Sequence, residues 1–251
     1  MTTAVILAAG VGKRLATETL LPKWLAPVGD GTPCREQLDS LVLTGPDEVV
    51  AVVGVGDPAA AVERYVEPWR DRLSIRLLEN PLHDVRNNWY SLLLALEDLD
   101  GGDDVLVFNS DLFAAAEWLA EAARRLVTCG EPAALGLDME RPLTDEAMKV
   151  SVEHDRCRRI GKVGVDQPKG EYVGISWWSA DSAEELRKLL AAYLDQPDAV
   201  NNWYEHGIDD HLVAGASYAA VAMPSMDWVE IDDPSDLAAA RSLATSTSPR
   251  R

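Results

Sequence analysis

Three cations near the start of the chain, Lys13, Arg14 and Lys23, and two distant carboxylates, Asp111 and Asp232, have the types and settings of reactive groups. Lys13 and Arg14 lie in AVILAAGVGKRL (residues 4–15), directly after an apolar run, and Lys23 follows in LLPKWL. Glycines at 10 and 12 let the backbone approach an anion closely, and consecutive amides with cations beside them suit a phosphate. Pro22 stiffens the chain before Lys23 and helps to aim its ammonium. Two common phosphate loops do not fit. The P-loop pattern needs a glycine where Leu7 stands and Ser or Thr where Arg14 stands. The dinucleotide fingerprint needs a third glycine at Leu15. Asp111 ends VLVFNSD, and Asp232 follows the alternation of WVEID. Two carboxylates brought together from strand ends make a Mg²⁺ site, because that hard cation takes oxygen ligands and keeps several waters. Simpler roles stay open: a carboxylate at a strand end can cap the next helix, and a single Lys or Arg can be a solvated surface charge. Asp233 and Asp236 read as caps.

Positioning these groups on one rim requires a sheet. Apolar runs predict strands over residues 4–8, 48–55, 74–78, 104–108, 133–137, 150–153 and 171–178. Helical spacing predicts helices over 34–43, 58–70, 88–96, 114–127 and 182–194, and Pro234 opens a last one. Strand and helix alternate through the first half, which predicts an α/β fold: a mostly parallel sheet with helices on both faces. No repeat or linker divides the chain, so residues 1–244 are expected to form one domain and the Ser/Thr/Pro/Arg-rich tail 245–251 a disordered end. In such sheets ligands bind at the carboxyl ends of the strands, which puts residues 10–14 and 109–111 on one rim.

The 251 residues carry 42 acidic and 23 basic side chains, a net charge of −19. That surface repels nucleic acid and anionic membranes, so an anionic substrate needs a local basic pocket. The three cysteines, Cys34, Cys129 and Cys157, are odd in number and lack metal-ligand spacing, so a reduced, cytoplasmic protein is expected. No segment is long and apolar enough to span a membrane. His83, His154, His206 and His211 show no ligand spacing and are given no role. Eight tryptophans stand against two phenylalanines. Trp178, and Trp203 with Tyr204, could wall a quaternary ammonium with their faces, and the nearby Glu205, Asp209 and Asp210 would attract any cation. The same rings would also suit a core or the contacts of a homodimer.

LAAGVGKRL followed by PKWL resembles the signature of the sugar-nucleotidyltransferase-like superfamily, L-A-A-G-x-G-x-R-L/M followed by P-K. NSD and WVEID stand where that superfamily has its two metal aspartates. NPLHDVRNNWYSLLLAL, then DEAMKV, IGK and GEYVGIS, resemble the phosphocholine and phosphonate cytidylyltransferases within it. The sequence departs from the pattern at Trp24, where a small residue is usual on the substrate side, and at Asn109-Ser110 before Asp111.

The resemblance implies a Rossmann-like, three-layer nucleotidyltransferase fold and a Mg²⁺-dependent transfer of CMP from CTP to a small anionic acceptor, a phosphocholine-like compound or an alkylphosphonate. A sugar-1-phosphate nucleotidyltransferase using another NTP, and a catalytically silent nucleotide-binding subunit, are the alternatives. Under the first reading Leu7, Ala8, Ala9 and Gly10 pack around the base, while Asn88 and Ser91 bond its edge. Gly12, Lys13 and Arg14 hold the outer phosphates. Lys23 neutralises the α-phosphate, with Arg14 also catalytic. Lys149, Lys162, Glu171, Trp178, Trp203 and Tyr204 form the acceptor site. Asn88 and Ser91 would equally suit a helix start, and Lys149 an edge-strand charge.

Overall fold

The structure, a computed structural model, describes residues 1–99, 101–225 and 227–247. In chain order the elements are β1 (Thr2–Ala8), α1 (Pro33–Thr44), β2 (Glu48–Gly54), α2 (Asp57–Val66), β3 (Ile75–Asn80), α3 (Asn88–Asp98), β4 (Asp104–Asn109), β5 (Leu112–Phe113) and α4 (Ala116–Val127). They continue as β6 (Ala133–Asp138), β7 (Lys149–Glu153), β8 (Arg156–Gly161), β9 (Gly170–Trp178), α5 (Ala180–Ala192), α6 (Tyr204–Val213), β10 (Ala219–Ala222), β11 (Val229–Glu230) and α7 (Pro234–Thr247). Among the described residues one sheet runs β3-β2-β1-β4-β9-β6-β10-β8-β7. The pairs from β3 to β4 are parallel, β9 runs antiparallel to both β4 and β6, and β6 and β10 are parallel.

Alternation along β1 divides the core into two. Ala4, Ile6 and Ala8 turn to the face covered by α1, α2 and α4, where Leu38, Val62 and Trp118 pack. Val5, Leu7 and Ala9 turn to the other face, under α3, α5 and α6, with Trp89, Leu186 and Ile208. Helices cover both faces of the sheet, as the alternation predicts, but the sheet is mixed: parallel from β3 to β4, and antiparallel at β9 and at the β7–β8 edge. Helix ends follow local chemistry. Thr32 caps α1 by accepting from the Arg35 amide, Pro33 occupies the first turn, and Gly45 ends the helix at φ 67°. The helix expected over 58–70 stops as an α-helix at Val66, because Pro68 has no amide to continue it, and a 3-10 turn follows over Glu67–Trp69. The hairpin β7–β8 turns through His154 and Asp155, both at positive φ, a turn that the sequence hides because neither residue is glycine. α7 runs to Thr247, so residues 245–247 of the expected tail are helical, and residues 248–251 lie outside the described residues. No helix among the described residues is long and apolar enough to cross a membrane.

The parallel strands β1 to β4 all end at one edge of the sheet. The antiparallel course of β9 has a consequence there. Its carboxyl end, Trp178, pairs with Val105 at the start of β4, on the opposite edge. Trp178 is fully buried and donates its indole N–H to Tyr218 Oη at 2.9 Å. The expectation that it walls an acceptor is corrected: it is a core residue far along the strand from the rim.

Candidate active site

Asp111 follows β4 by two residues, and the short ladder β5–β11 brings the second carboxylate to it. Glu230 pairs with Leu112, and the Ile231 amide donates to Asp111 O at 2.9 Å. Asp111, Glu230 and Asp232 each present a carboxylate oxygen within 4.8 Å of the others. Glu230 was not singled out in the sequence, although strand alternation puts residues 230 and 232 on one face. Lys23 Nζ lies 2.8 Å from Asp111 Oδ2 and also bonds Asp232 Oδ1, while Arg14 Nη2 lies 2.9 Å from Asp232 Oδ2. Burial alone would lower the pKa of Lys23, but Asp111 and Asp232 outweigh it and hold the ammonium above its ordinary range. Burial likewise opposes ionisation of Asp232, and the charges of Lys23 and Arg14 overcome it and keep that carboxyl below the usual range. Glu230 keeps an exposed side chain, yet the partial loss of water around its carboxyl and the charges of Asp111 and Asp232 raise it. Asp111 Oδ1 is buried with no hydrogen-bond partner. An orphaned carboxylate oxygen beside two further carboxylates is the donor set that a hard divalent cation takes, so these residues fit Mg²⁺.

Trp24, the departure from the superfamily pattern, is fully buried in the core beside α1. Its indole N–H donates to Gln37 Oε1 at 2.9 Å, and Gln37 Nε2 donates to Asn109 O and Leu112 O, each at 2.9 Å. Gln37 thus ties the turn carrying Lys23 to the strand end carrying Asp111. Its signal in the sequence is one long polar residue on the apolar face of α1. Gln37→Leu leaves one buried donor and two buried acceptors without this partner and is expected to cost about 3 kcal/mol of stability. Equilibrium urea unfolding measures it, and an unchanged midpoint would contradict this role.

A cavity of about 460 Å³ opens beside the cluster, lined on one side by Leu7, Ala9, Gly10, Gly12, Lys13, Arg14, Asn88 and Ser91. Ala8 points into the core on the other face and does not line it, which corrects its expected place at the base. A Cβ on Gly10 would meet no protein atom within 4 Å, so it would intrude only on the cavity, whereas Gly12 is glycine because its φ is +60°. The first turn hydrogen bond of the loop runs from the Leu15 amide to Gly12 O, so the amides before it are not used in that turn. At the far end, α3 is capped by Asn87, whose Oδ1 accepts from the Asn88 amide. Asn88 and Ser91 are therefore not needed for capping. Asn88 Oδ1 accepts from the Tyr204 amide at 2.9 Å, so Nδ2 remains a donor, and Ser91 Oγ accepts from Asn80 Nδ2 at 2.9 Å, so its hydroxyl proton remains to give. His83 and Arg86, given no role in the sequence, also line this end.

The cavity is also lined by Met148, Lys162, Asn201, Trp203 and Glu205, a stretch joined to the start of α3 by the bond from the Tyr204 amide to Asn88 Oδ1. Besides Trp178, three expected acceptor residues do not line the cavity. Lys149 donates to the backbone oxygens of Asp145, Ala147 and Lys162 at 3.0, 3.3 and 2.9 Å, so its ammonium is consumed in bracing the β7–β8 edge. Tyr204 is fully buried and bonds Asn109 Oδ1 and Tyr172 Oη, a support beneath the site and no wall of it. Glu171 is half-buried opposite Lys149 and Asp138, and burial raises its carboxyl while Arg141, Lys149 and Lys162 oppose the shift. These are corrections to the sequence reading, and each follows from strand register or helix facing.

The chain matches the MobA-like NTP transferase domain over residues 4–195. It is 22% identical over 222 residues to a choline-phosphate cytidylyltransferase of Streptococcus pneumoniae, covering 83% of this chain and 84% of that one. It is 26% identical over 242 residues to a 2-aminoethylphosphonate cytidylyltransferase of Lancefieldella rimae, covering 95% and 91%. Its fold matches the structure of the inositol-1-phosphate CTP transferase from T. maritima with a TM-score of 0.77 at 21% identity, over 100% of this chain and 98% of that one.

Proposed function

Because the chain belongs to the MobA-like NTP transferase family, and is a nucleotidyltransferase acting on an NTP and a phosphorylated acceptor, we propose that the NTP is CTP and the acceptor a small phosphate or phosphonate. The observation that carries the choice of base is the pair of unspent donors at the far end of the cavity, Asn88 Nδ2 and the Ser91 hydroxyl. Cytosine offers two adjacent acceptors, O2 and N3, to such a pair. Uracil and thymine present an N3–H in place of the N3 acceptor of cytosine, and Asn88 Nδ2, a donor only, cannot accept it. The names of the two relatives support the same reading.

With the base at Asn88 and Ser91, the triphosphate runs along residues 10–14 toward Lys23. The acceptor's anionic oxygen attacks the α-phosphorus from the side of Lys162 and Trp203. A new P–O bond forms, the bond to the α–β bridging oxygen breaks, and its electron pair leaves with pyrophosphate. The acceptor oxygen is already ionised, so no strong base is needed; positioning and charge supply the rate. The Gly12 loop, Lys13 and Arg14 hold the outer phosphates, and Lys23 takes up charge at the α-phosphate. Asp111 and Asp232, with Glu230 beside them, would hold a Mg²⁺ ion, which would supply further charge neutralisation at the phosphates.

The test is pyrophosphate release with each of four NTPs against phosphocholine, 2-aminoethylphosphonate, 2-hydroxyethylphosphonate and sugar 1-phosphates. The expected result is turnover with CTP and one or more of the first three, falling to background when EDTA removes Mg²⁺. Turnover confined to UTP or dTTP with a sugar 1-phosphate would overturn the reading, and full activity in EDTA would overturn the metal.

A further inference from the structure

The acceptor wall carries a group that the reaction just described leaves idle. Glu205 is 5% exposed, borders the cavity, and its Oε2 is buried without a hydrogen-bond partner. A buried carboxylate oxygen with nothing to accept from is costly, and such a group in a binding cavity signals a donor supplied by the ligand. Burial pushes the carboxyl up to about 7, with Asn109 and Lys162 opposing and Asp111 adding to the shift, as expected of a carboxylate that lacks its counter-ion.

The surroundings limit what that donor can be. Among the described residues Trp203 is the one Trp, Tyr or Phe in the cavity wall, so no cage of aromatic faces exists for a quaternary ammonium. The Trp203 ring is already engaged: Lys162 Nζ lies 5.2 Å from its centroid, and it stacks on His206 at 5.4 Å. A trimethylammonium has no N–H to offer Glu205, whereas a primary ammonium has three. The cavity wall also balances its charge. Lys13, Arg14, Lys23, Arg86 and Lys162 face Asp84, Asp111, Glu205, Glu230 and Asp232, in a chain of net charge −19. On the acceptor side the lining residues are Lys162, whose Nζ also pairs with the exposed Glu146 at 3.1 Å, and the unpaired Glu205; an acceptor with an anionic end to displace Glu146 and a cationic end for Glu205 is a zwitterion.

We propose that the acceptor is a zwitterion with a primary ammonium group, and that Glu205 is the residue that selects it over quaternary and uncharged head groups. This rests on the cytidylyl-transfer reading and narrows its acceptor. Lys162 then steadies the anionic end, while the ammonium donates to Glu205 Oε2 and supplies the missing counter-ion. Transfer leaves the amine untouched, so Glu205 is a specificity-determining residue and not a catalytic one.

The experiment compares kcat/KM for 2-aminoethylphosphonate, 2-hydroxyethylphosphonate and phosphocholine, with CTP and Mg²⁺, in the full chain and in Glu205→Gln. In the unaltered protein the amine is expected to be preferred at least about 10-fold over each of the others. In Glu205→Gln, the loss of a charged hydrogen bond should cut the amine by about 30-fold and shrink its advantage over the hydroxyl compound by a similar factor, with KM for CTP nearly constant. A preference for phosphocholine, or no preference, in the unaltered protein overturns the proposal without need of the variant. Equal losses on all three acceptors in Glu205→Gln overturn it as well, since Glu205 would then be scaffold. Transfer from CTP to none of the three overturns the cytidylyl-transfer reading itself, an outcome distinct from transfer without amine selectivity.

Discussion

Asp111→Asn and Asp232→Asn each lower kcat by about 10³-fold while the protein still unfolds cooperatively near the parent midpoint. The expected size follows from what the carboxylates hold. Each removes the charge of one of three carboxylates that stand within 4.8 Å and weakens one anchor of Lys23, so both a cation site and a fixed ammonium are disturbed at once. The fold is spared because the backbone contact between the two strands, Ile231 amide to Asp111 O, does not involve either side chain. Steady-state kinetics at saturating Mg²⁺ decide it. Near-parental turnover in either variant would remove that residue from the machinery.

Lys23→Ala has the second largest expected effect, and it separates two roles for the same ammonium. Charge on the α-phosphate region grows as pyrophosphate leaves, so a cation fixed there binds the transition state better than ground-state CTP. kcat is expected to fall by at least about 100-fold, with less than about threefold change in nucleotide affinity. A second readout needs no turnover. In the free protein Lys23 occupies Asp111 and Asp232, and Arg14 shares Asp232, so a divalent cation must compete with bound ammonium and guanidinium. Mn²⁺ titrated into Lys23→Ala without nucleotide is therefore expected to bind more tightly than to the parent, read by its paramagnetic resonance signal. A large rise in KM for CTP with constant kcat would make Lys23 a ground-state binder, and unchanged Mn²⁺ affinity would show that the ammonium does not guard the carboxylates.

The parts of the site written in local sequence were legible in it. An apolar run ending in glycines, cations after it and a carboxylate at a strand end are short-range patterns, and the cavity gathers Gly12, Lys13, Arg14, Lys23, Asp111 and Asp232 along one rim. The acceptor side was not legible in the same way, because its placement depends on direction and register. The alternation of EYVGISWW marks a strand but carries no sign of which way it runs, and the antiparallel course of β9 sends Trp178 to the far edge. Lys149 and Lys162 look alike in sequence, yet three backbone oxygens hold the first and the second reaches the cavity. Trp203, Tyr204 and Glu205 are consecutive, and only the rotation of the start of α6 decides that Trp203 and Glu205 face the cavity while Tyr204 goes beneath it. Gln37 and Glu230 were within reach of pattern reasoning, one as a polar intrusion on an apolar helix face and the other as the strand neighbour of Asp232.

The most direct test of the whole account is a ³¹P NMR time course of the protein with CTP, Mg²⁺ and 2-aminoethylphosphonate. Attack at the α-phosphorus predicts that the three CTP resonances give way to inorganic pyrophosphate and a pair of coupled doublets, one phosphonate and one phosphate, from the new anhydride. Appearance of CDP with free phosphate, or of a phosphorylated acceptor, would mean attack at the γ-phosphorus and would contradict the assignment of Lys23, Asp111 and Asp232 to the α-phosphate.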